Sequence, residues 1–140
     1  MFSHECPCTS GTPYASCCGR LHHAGVAAPT AEALMRARYT AFAVRDAAFL
    51  YRTWHPFTRP DDVVLDDDLI WTGLAITDTS GGSELDDEGE VAFIAAWLAP
   101  DGRRGELFER SRFVRRGGQW HYLDGELHTA HARVLEMAWH

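Results

Sequence analysis

The amino-acid sequence predicts an α+β fold in which N-terminal helices pack on a curved antiparallel sheet, preceded by a small cysteine-rich segment. Three observations support this fold class. Apolar residues recur with helical spacing between residues 30 and 54. From residue 69 onward they alternate with a period of two, which is typical of strands. All four cysteines fall within residues 6–18, a segment too short to bury a core of its own.

The cysteine-rich segment has the spacing of a metal-binding turn. Cys6 and Cys8 point the same way in an extended chain, because side chains at i and i+2 share a face. Glycine and proline between the two cysteine pairs predict a chain reversal that brings the second pair back to the first. A structural zinc site uses four thiolates around a tetrahedral centre. The sequence therefore predicts zinc as the cofactor.

Other interpretations of this segment remain open. Two disulfides would suit a small secreted domain, but no hydrophobic signal segment precedes Cys6, so we expect a cytoplasmic protein with reduced thiols. Redox use of the thiols is a further alternative. Both Cys17 and Cys18 can bind one ion only if a turn or a helix begins there. Otherwise His22 or His23 replaces one of them.

Length and composition limit the rest of the chain. It has 140 residues, of which 46% are hydrophobic, and this is enough for one domain with its own core after the cysteine-rich segment. We expect a knuckle at residues 1–22, a linker at 23–29 and the domain at 30–140. No apolar run is long enough to span a bilayer. The formal net charge of -7 argues against binding to free nucleic acid.

Two helices are expected before the sheet. Thr30 is the predicted N-cap of a helix that extends to Arg45, and Asp46 is the predicted N-cap of a second helix that extends to about Trp54. Pro56 should stop the second helix. Residues 57–68 contain five aspartates and are expected to form a solvated acidic loop or a short exposed helix.

Four strands follow. The alternating pattern and the turn residues between its segments predict strands at residues 69–77, 90–99, 105–116 and 119–123. The second of these is apolar on both faces and is expected in the middle of the sheet. The connection between the first two strands should cover residues 78–90, and Asp124-Gly125 should end the fourth strand. Residues 126–140 have weak helical spacing and are expected to form a short helix or to be partly disordered.

The cysteine-rich segment and the domain each resemble a known family. Cys-Pro-Cys-Thr-Ser-Gly-Thr-Pro-Tyr-Ala-Ser-Cys-Cys resembles the SEC-C zinc motif, and the resemblance implies four zinc ligands: Cys6, Cys8, Cys17 and Cys18. Residues 6–125, nearly the whole chain, are similar to the YchJ family, which joins this motif to an NTF2-like cone. The similarity is carried by Leu34-Met35-Arg36-x-Arg38-Tyr39-x-Ala41-Phe42, Thr53-Trp54-His55-Pro56, Trp71-x-Gly73-Leu74, Glu109-Arg110-Ser111-Arg112-Phe113 and Gly118-Gln119-Trp120-x-Tyr122-x-Asp124-Gly125.

The resemblance implies a fold and a zinc site, and it implies no activity. By analogy with the similar tail of the SecA translocase, we expect the knuckle to dock a protein or ribosomal partner. The alternative is a small-molecule-binding protein or enzyme, because neither face of the third strand is cleanly apolar and its arginines need acidic partners or a cavity. The candidate pocket contains Tyr39, His55, Arg110, Arg112, Tyr122 and Asp124. No common catalytic motif is present in the sequence, so it does not decide whether the protein is an enzyme.

Overall fold

Helices on one face of a four-stranded sheet form the domain. The computed structural model describes residues 5–65 and 68–127. The elements, in chain order, are a 3-10 turn (Tyr14–Ser16), α1 (Cys18–His23), α2 (Ala31–Val44), α3 (Ala47–Arg52), β1 (Ile70–Gly81), β2 (Glu88–Leu98), β3 (Arg104–Arg116) and β4 (Gln119–Leu127). The strands pair antiparallel in the order β1-β2-β3-β4, so β2 lies inside the sheet as predicted.

Side-chain caps start both predicted helices. The Thr30 hydroxyl accepts a hydrogen bond from the Ala33 N–H at 3.1 Å, and the Asp46 carboxylate accepts one from the Phe49 N–H at 3.1 Å. Arg45 has a left-handed conformation, with φ 64°, and ends α2. Helix α3 ends at Arg52, two residues before the predicted end at Trp54. Residues 57–65 form no helix or strand, in agreement with the loop that was expected there.

Helix α1 was not predicted as a helix, although the sequence did require a turn or helix start at the second cysteine pair. It begins at Cys18, and its last residue, His23, lies in the segment expected as a linker. The division into a knuckle (1–22), a linker (23–29) and a domain (30–140) stays a prediction.

Some strand boundaries were predicted wrongly. Strand β1 continues to Gly81 and β2 begins at Glu88, so the expected connection at residues 78–90 is reduced to 82–87. Strand β4 continues through Asp124-Gly125 to Leu127. Within the strand, Gly125 allows the Glu109 side chain to lie close to the backbone, and a Cβ at that position would strike it. Of the tail at residues 126–140, Glu126 and Leu127 belong to β4 and the rest lies outside the described residues.

The core lies between α2 and the inner face of the sheet. Alternate residues of β2 are buried, among them Val91, Phe93 and Ala95, each 1% exposed or less. Helix α2 packs across this face, against β1, β2 and β4. Shifts in register between β1 and β2, and between β3 and β4, bend the strands around the helix. Within the described ranges, no helix has the length and apolar character that crossing a bilayer requires.

Candidate metal centre

The four cysteine sulfurs come together in one cluster. They all lie within 4.8 Å of one another. The Cys8 and Cys17 sulfurs are 3.7 Å apart, and those of Cys17 and Cys18 are 4.0 Å apart. Tetrahedral zinc with Zn–S bonds of about 2.3 Å places its sulfurs about 3.8 Å apart. The separation of the sulfurs therefore fits a tetrahedral four-sulfur metal site.

A tight reversal holds the first cysteine pair. The Cys6 N–H donates to the Thr12 carbonyl at 2.9 Å, and the Thr9 N–H donates to the Cys6 carbonyl at 3.1 Å. Thr9 has φ 65° and Gly11 φ 82°, so both residues turn the chain through the left-handed region. The reversal leads into the 3-10 turn and α1, which carry Cys17 and Cys18.

The cysteine cluster is tied to the domain beneath it. Thr40 of α2, which is fully buried, lies under two of the sulfurs: its hydroxyl is 3.6 Å from the Cys6 sulfur and donates to the Cys18 sulfur at 3.4 Å. The Arg36 guanidinium donates to the Cys8 carbonyl at 2.9 Å. The Thr9 hydroxyl donates to the Leu74 carbonyl of β1 at 2.7 Å. These contacts fix the cluster against both α2 and β1.

The electrostatics of the cluster show how closely the thiols interact. Hydrogen bonds from Cys18 and Cys8 lower the pKa of the Cys6 thiol below its ordinary value. The same sulfur contacts, together with burial, raise the pKa of Cys18. Negative charge placed on one sulfur therefore suppresses ionisation of its neighbour. A cation is needed before all four can be thiolates at once.

The histidines are engaged elsewhere. His22 donates from Nε2 to the Ala37 carbonyl at 2.8 Å, so in the neutral ring Nδ1 accepts from the Tyr14 hydroxyl at 2.7 Å. The Nε2 of His23 is 3.1 Å from the same hydroxyl. Burial lowers the pKa of His22. Both ring nitrogens of His22 are occupied, which favours four cysteines over a mixed ligand set.

Three of the six candidate pocket residues lie together on one face of the sheet. Arg110, Arg112 and Asp124 lie on the outer face of the sheet. There Arg110 donates to Asp78 at 2.9 Å and to Glu90, while Arg112 donates to Asp124 at 2.6 Å. Asp124 is therefore one of the acidic partners that the arginines of the third strand were expected to need.

The other three pocket candidates lie away from this outer face. Tyr39 and Tyr122 are buried in the core, 1% and 2% exposed, and burial raises the pKa of Tyr39 to about 12. His55 lies after α3, where its N–H donates to the Tyr122 carbonyl at 2.7 Å. The structure thus brings Arg110, Arg112 and Asp124 together on the outer face, and it places His55 against the backbone of Tyr122.

A buried polar cluster in the core was not predicted from the sequence. Arg38 is 3% exposed and donates to the Leu50 carbonyl at 2.9 Å and to the Thr53 hydroxyl at 2.8 Å. Its guanidinium lies 4.5 Å from the centroid of the Tyr122 ring. Burial lowers the pKa of Arg38 to about 10. Two features of the sequence could have indicated this cluster. Arg38 interrupts the apolar face of α2, and Glu109 in the third strand is an acidic residue that could pair with it.

Comparison with known proteins gives consistent matches. The family model for the middle, NTF2-like domain of YchJ matches residues 30–125. The UPF0225 protein SCO1677 of Streptomyces coelicolor is 53% identical over 126 residues, covering 90% of this chain and 98% of that protein. A UPF0225 protein of Deinococcus radiodurans is 47% identical over 119 residues, covering 85% of this chain and 86% of that protein.

Two solved structures share the fold. The solution structure of RPA3114, a SEC-C motif containing protein from Rhodopseudomonas palustris, has a TM-score of 0.76 at 30% identity and covers 89% of this chain and 98% of its own. The crystal structure of a SEC-C motif containing protein from Psychrobacter arcticus has a TM-score of 0.66 at 25% identity and covers 89% of this chain and 83% of its own. With the cysteine cluster and the helix-on-sheet domain described above, these matches show that the chain belongs to the YchJ family.

Proposed function

We propose that this protein binds one zinc ion through Cys6, Cys8, Cys17 and Cys18, and that the zinc-bound knuckle is a docking surface for a protein or ribosomal partner. The observation that carries the proposal is the cluster of four sulfurs within 4.8 Å of one another. An all-sulfur tetrahedral set selects zinc over calcium or magnesium, which prefer oxygen ligands.

A site with four protein ligands has no open position for substrate, so the metal would be structural. Its effect would be to hold the reversal at residues 9–13, all of which are exposed, in one shape. A small, rigid and exposed loop suits recognition of another macromolecule, because little conformational entropy is lost on binding. A reducing compartment would keep the thiols available for the metal, which supports a cytosolic location.

The alternative of a small-molecule pocket around His55, Arg110, Arg112 and Asp124 has less support. The two arginines are paired with acidic side chains on the outer face, and their side chains are 35% and 58% exposed. A shallow and open ion-pair surface does not exclude water around a substrate. We therefore assign the interaction role to the knuckle.

Metal analysis tests the zinc site. Protein purified without added metal should contain about one zinc per chain, and its four cysteines should react with a thiol reagent much more slowly than they do after a chelator is added. Protein without metal, holding four free thiols or two disulfides, would contradict the proposal.

A pair of surface variants tests docking. Thr12→Glu combined with Ala15→Glu places two acidic side chains on the exposed knuckle while leaving the sulfurs in place. We expect this variant to keep its zinc and to lose co-sedimentation with purified ribosomes or cross-linking to its protein partner. Thr79→Glu, on the exposed part of β1, is the matched control. Equal binding by both variants would refute the docking role.

A further inference from the structure

We propose that Cys17 is the site at which a peroxide oxidises the knuckle, and that the first product is a Cys8–Cys17 disulfide with loss of the metal. The inference rests on the zinc site proposed above. It names a modification site and the chemical class of its co-reactant.

Access singles out Cys17 within the cluster. Cys6, Cys8 and Cys18 are 3%, 0% and 3% exposed, whereas Cys17 is only partly buried. Cys17 lies at the junction of the 3-10 turn and α1, next to the exposed Ser16. The Ser10 hydroxyl, also exposed, is 3.2 Å from its sulfur. A small oxidant arriving from solvent therefore meets the Cys17 sulfur first.

Geometry selects Cys8 as the second sulfur. The Cys8 sulfur is 3.7 Å from that of Cys17, against 4.0 Å for Cys18. Cys17 and Cys18 are also neighbours in the chain, and adjacent Cα atoms lie about 3.8 Å apart across a trans peptide. Disulfides normally span Cα separations of about 4.4–6.8 Å. A bond between Cys17 and Cys18 would thus be strained, while Cys8 approaches from the opposite side of the reversal.

The other two cysteines are protected by α2. The Thr40 hydroxyl contacts the sulfurs of Cys6 and Cys18, and α2 covers them from the inside. These two thiols should stay reduced in the first oxidised species. Two remaining sulfurs do not complete a tetrahedral zinc site, so the ion should leave when the disulfide forms.

In the proposed reaction, the thiolates of Cys8 and Cys17 react with one molecule of hydrogen peroxide. The Cys17 sulfur attacks one peroxide oxygen, an S–O bond forms, the O–O bond breaks and hydroxide leaves. The Cys8 thiolate then attacks the Cys17 sulfur, an S–S bond forms, the S–O bond breaks and a second hydroxide leaves. Two protons from solvent convert both hydroxides to water. The thiolates supply the two electrons that reduce the peroxide.

The full-length protein can be tested by following zinc and mapping disulfides together. Hydrogen peroxide is added in small excess, zinc release is followed with a chelating dye, and free thiols are then alkylated. Cleavage after Tyr14 and Arg20 separates the peptide with Cys6 and Cys8 from the peptide with Cys17 and Cys18. We expect one zinc released per disulfide, these two peptides joined through Cys8 and Cys17, and alkylated Cys6 and Cys18.

Variants keep the assignment falsifiable even if they bind no metal. Cys18→Ser should still form the Cys8–Cys17 bond, and Cys17→Ser should not join the two peptides. A Cys17–Cys18 bond, a Cys6–Cys18 bond as the first product, or sulfinic acid in place of a disulfide would overturn the inference. If untreated protein holds no zinc, the proposed function fails, but the disulfide map of the metal-free protein still tests the oxidation site.

Discussion

At the scale of single residues, Thr40 is the residue of α2 whose side chain contacts the proposed metal ligands directly. Its hydroxyl lies in the middle of α2 with no exposure to solvent, and it touches two cysteine sulfurs. Groups that hydrogen-bond to metal ligands orient them and adjust their charge. Thr40 should therefore matter more for metal affinity than for folding of α2.

Replacing Thr40 tests this role. Thr40→Val keeps the shape of the side chain and removes the hydroxyl, so zinc affinity should fall about 10- to 100-fold. Thr40→Ser retains the hydroxyl and should keep most of the affinity. Competition with a chelator of known affinity measures both variants. An unchanged affinity in Thr40→Val would show that the hydroxyl does not support the ligands.

His22 should make stability depend on pH. Burial keeps its folded-state pKa below the ordinary value of 6.5, so the unfolded chain takes up the proton first as the pH falls. The free energy of unfolding should therefore decrease between about pH 6.5 and the lower folded pKa, by at most about 1.4 kcal/mol per pH unit.

Urea unfolding of the wild type and of His22→Gln, at pH 7.5 and 5.5, measures the contribution of His22. The variant lacks the titrating ring, so the stability gap between the two proteins should narrow at pH 5.5. Comparing the two proteins cancels the loss of zinc from protonated thiols, which affects both. A gap that widens at pH 5.5 would mean that the folded protein prefers the protonated ring.

At the scale of elements, the register of strand β4 places two of the pocket candidates on opposite faces of the sheet. A register shift between Arg112 and Phe113 pairs Arg112 with Asp124 but Phe113 with Tyr122. Tyr122 consequently faces the core, while Asp124 faces outward. Simple alternation places residues 122 and 124 on the same face. At the register shift, β4 has one residue more than β3, and this extra residue places Tyr122 and Asp124 on opposite faces.

Gly125 offers a direct test of the packing on β4. A methyl group there would strike the carboxylate of Glu109, which is 2% exposed, so this side chain would have to shift within the packed core. Gly125→Ala should destabilise the fold by about 1–3 kcal/mol. Gly73→Ala is the matched control, because a Cβ at Gly73 meets nothing within 4 Å. The melting temperature of Gly125→Ala should lie clearly below that of Gly73→Ala. Equal melting temperatures would contradict the close contact between Gly125 and Glu109.

Features set by short stretches of sequence could be predicted, and those set by distant contacts could not. The two helix caps depend on a side chain and a backbone group three residues apart, and both were predicted. The cysteine cluster also depends on one local reversal. By contrast, the length of β4 and the faces of Tyr122 and Asp124 depend on pairing with β3, which the sequence pattern does not encode. Helix α1 has only six residues, which is too short to show a period.

At the scale of the whole molecule, the cysteine cluster and the domain share one core. The sulfurs of Cys6, Cys8 and Cys18 belong to the same buried cluster as Leu34 and Phe93. A metal that binds only the folded state stabilises everything that folds with its ligands. We therefore expect the knuckle and the domain to unfold in a single transition.

Metal removal measures this coupling. A ligand at about 1,000 times its Kd adds about 4 kcal/mol to stability, and 1 kcal/mol shifts the melting temperature of a domain this large by about 2–4 °C. A chelator should thus lower the melting temperature by about 10 °C. Near-ultraviolet circular dichroism reports on the domain through the buried Trp54 and Trp120. If only the knuckle loosened, this signal would melt at an unchanged temperature.

The bond from Thr9 to Leu74 has a consequence for how the protein behaves in crowded solution. Strand β1 is at one edge of the four described strands, and an open edge can recruit a strand from another molecule. The Thr9 hydroxyl occupies the Leu74 carbonyl, and the Tyr39 hydroxyl is hydrogen-bonded to the backbone of Gly73. Thr9 of the knuckle and Tyr39 of α2 thus cover part of this edge and hinder intermolecular β-pairing there. Loss of the metal would expose a template for aggregation, so light scattering should rise in chelated samples before helical structure is lost.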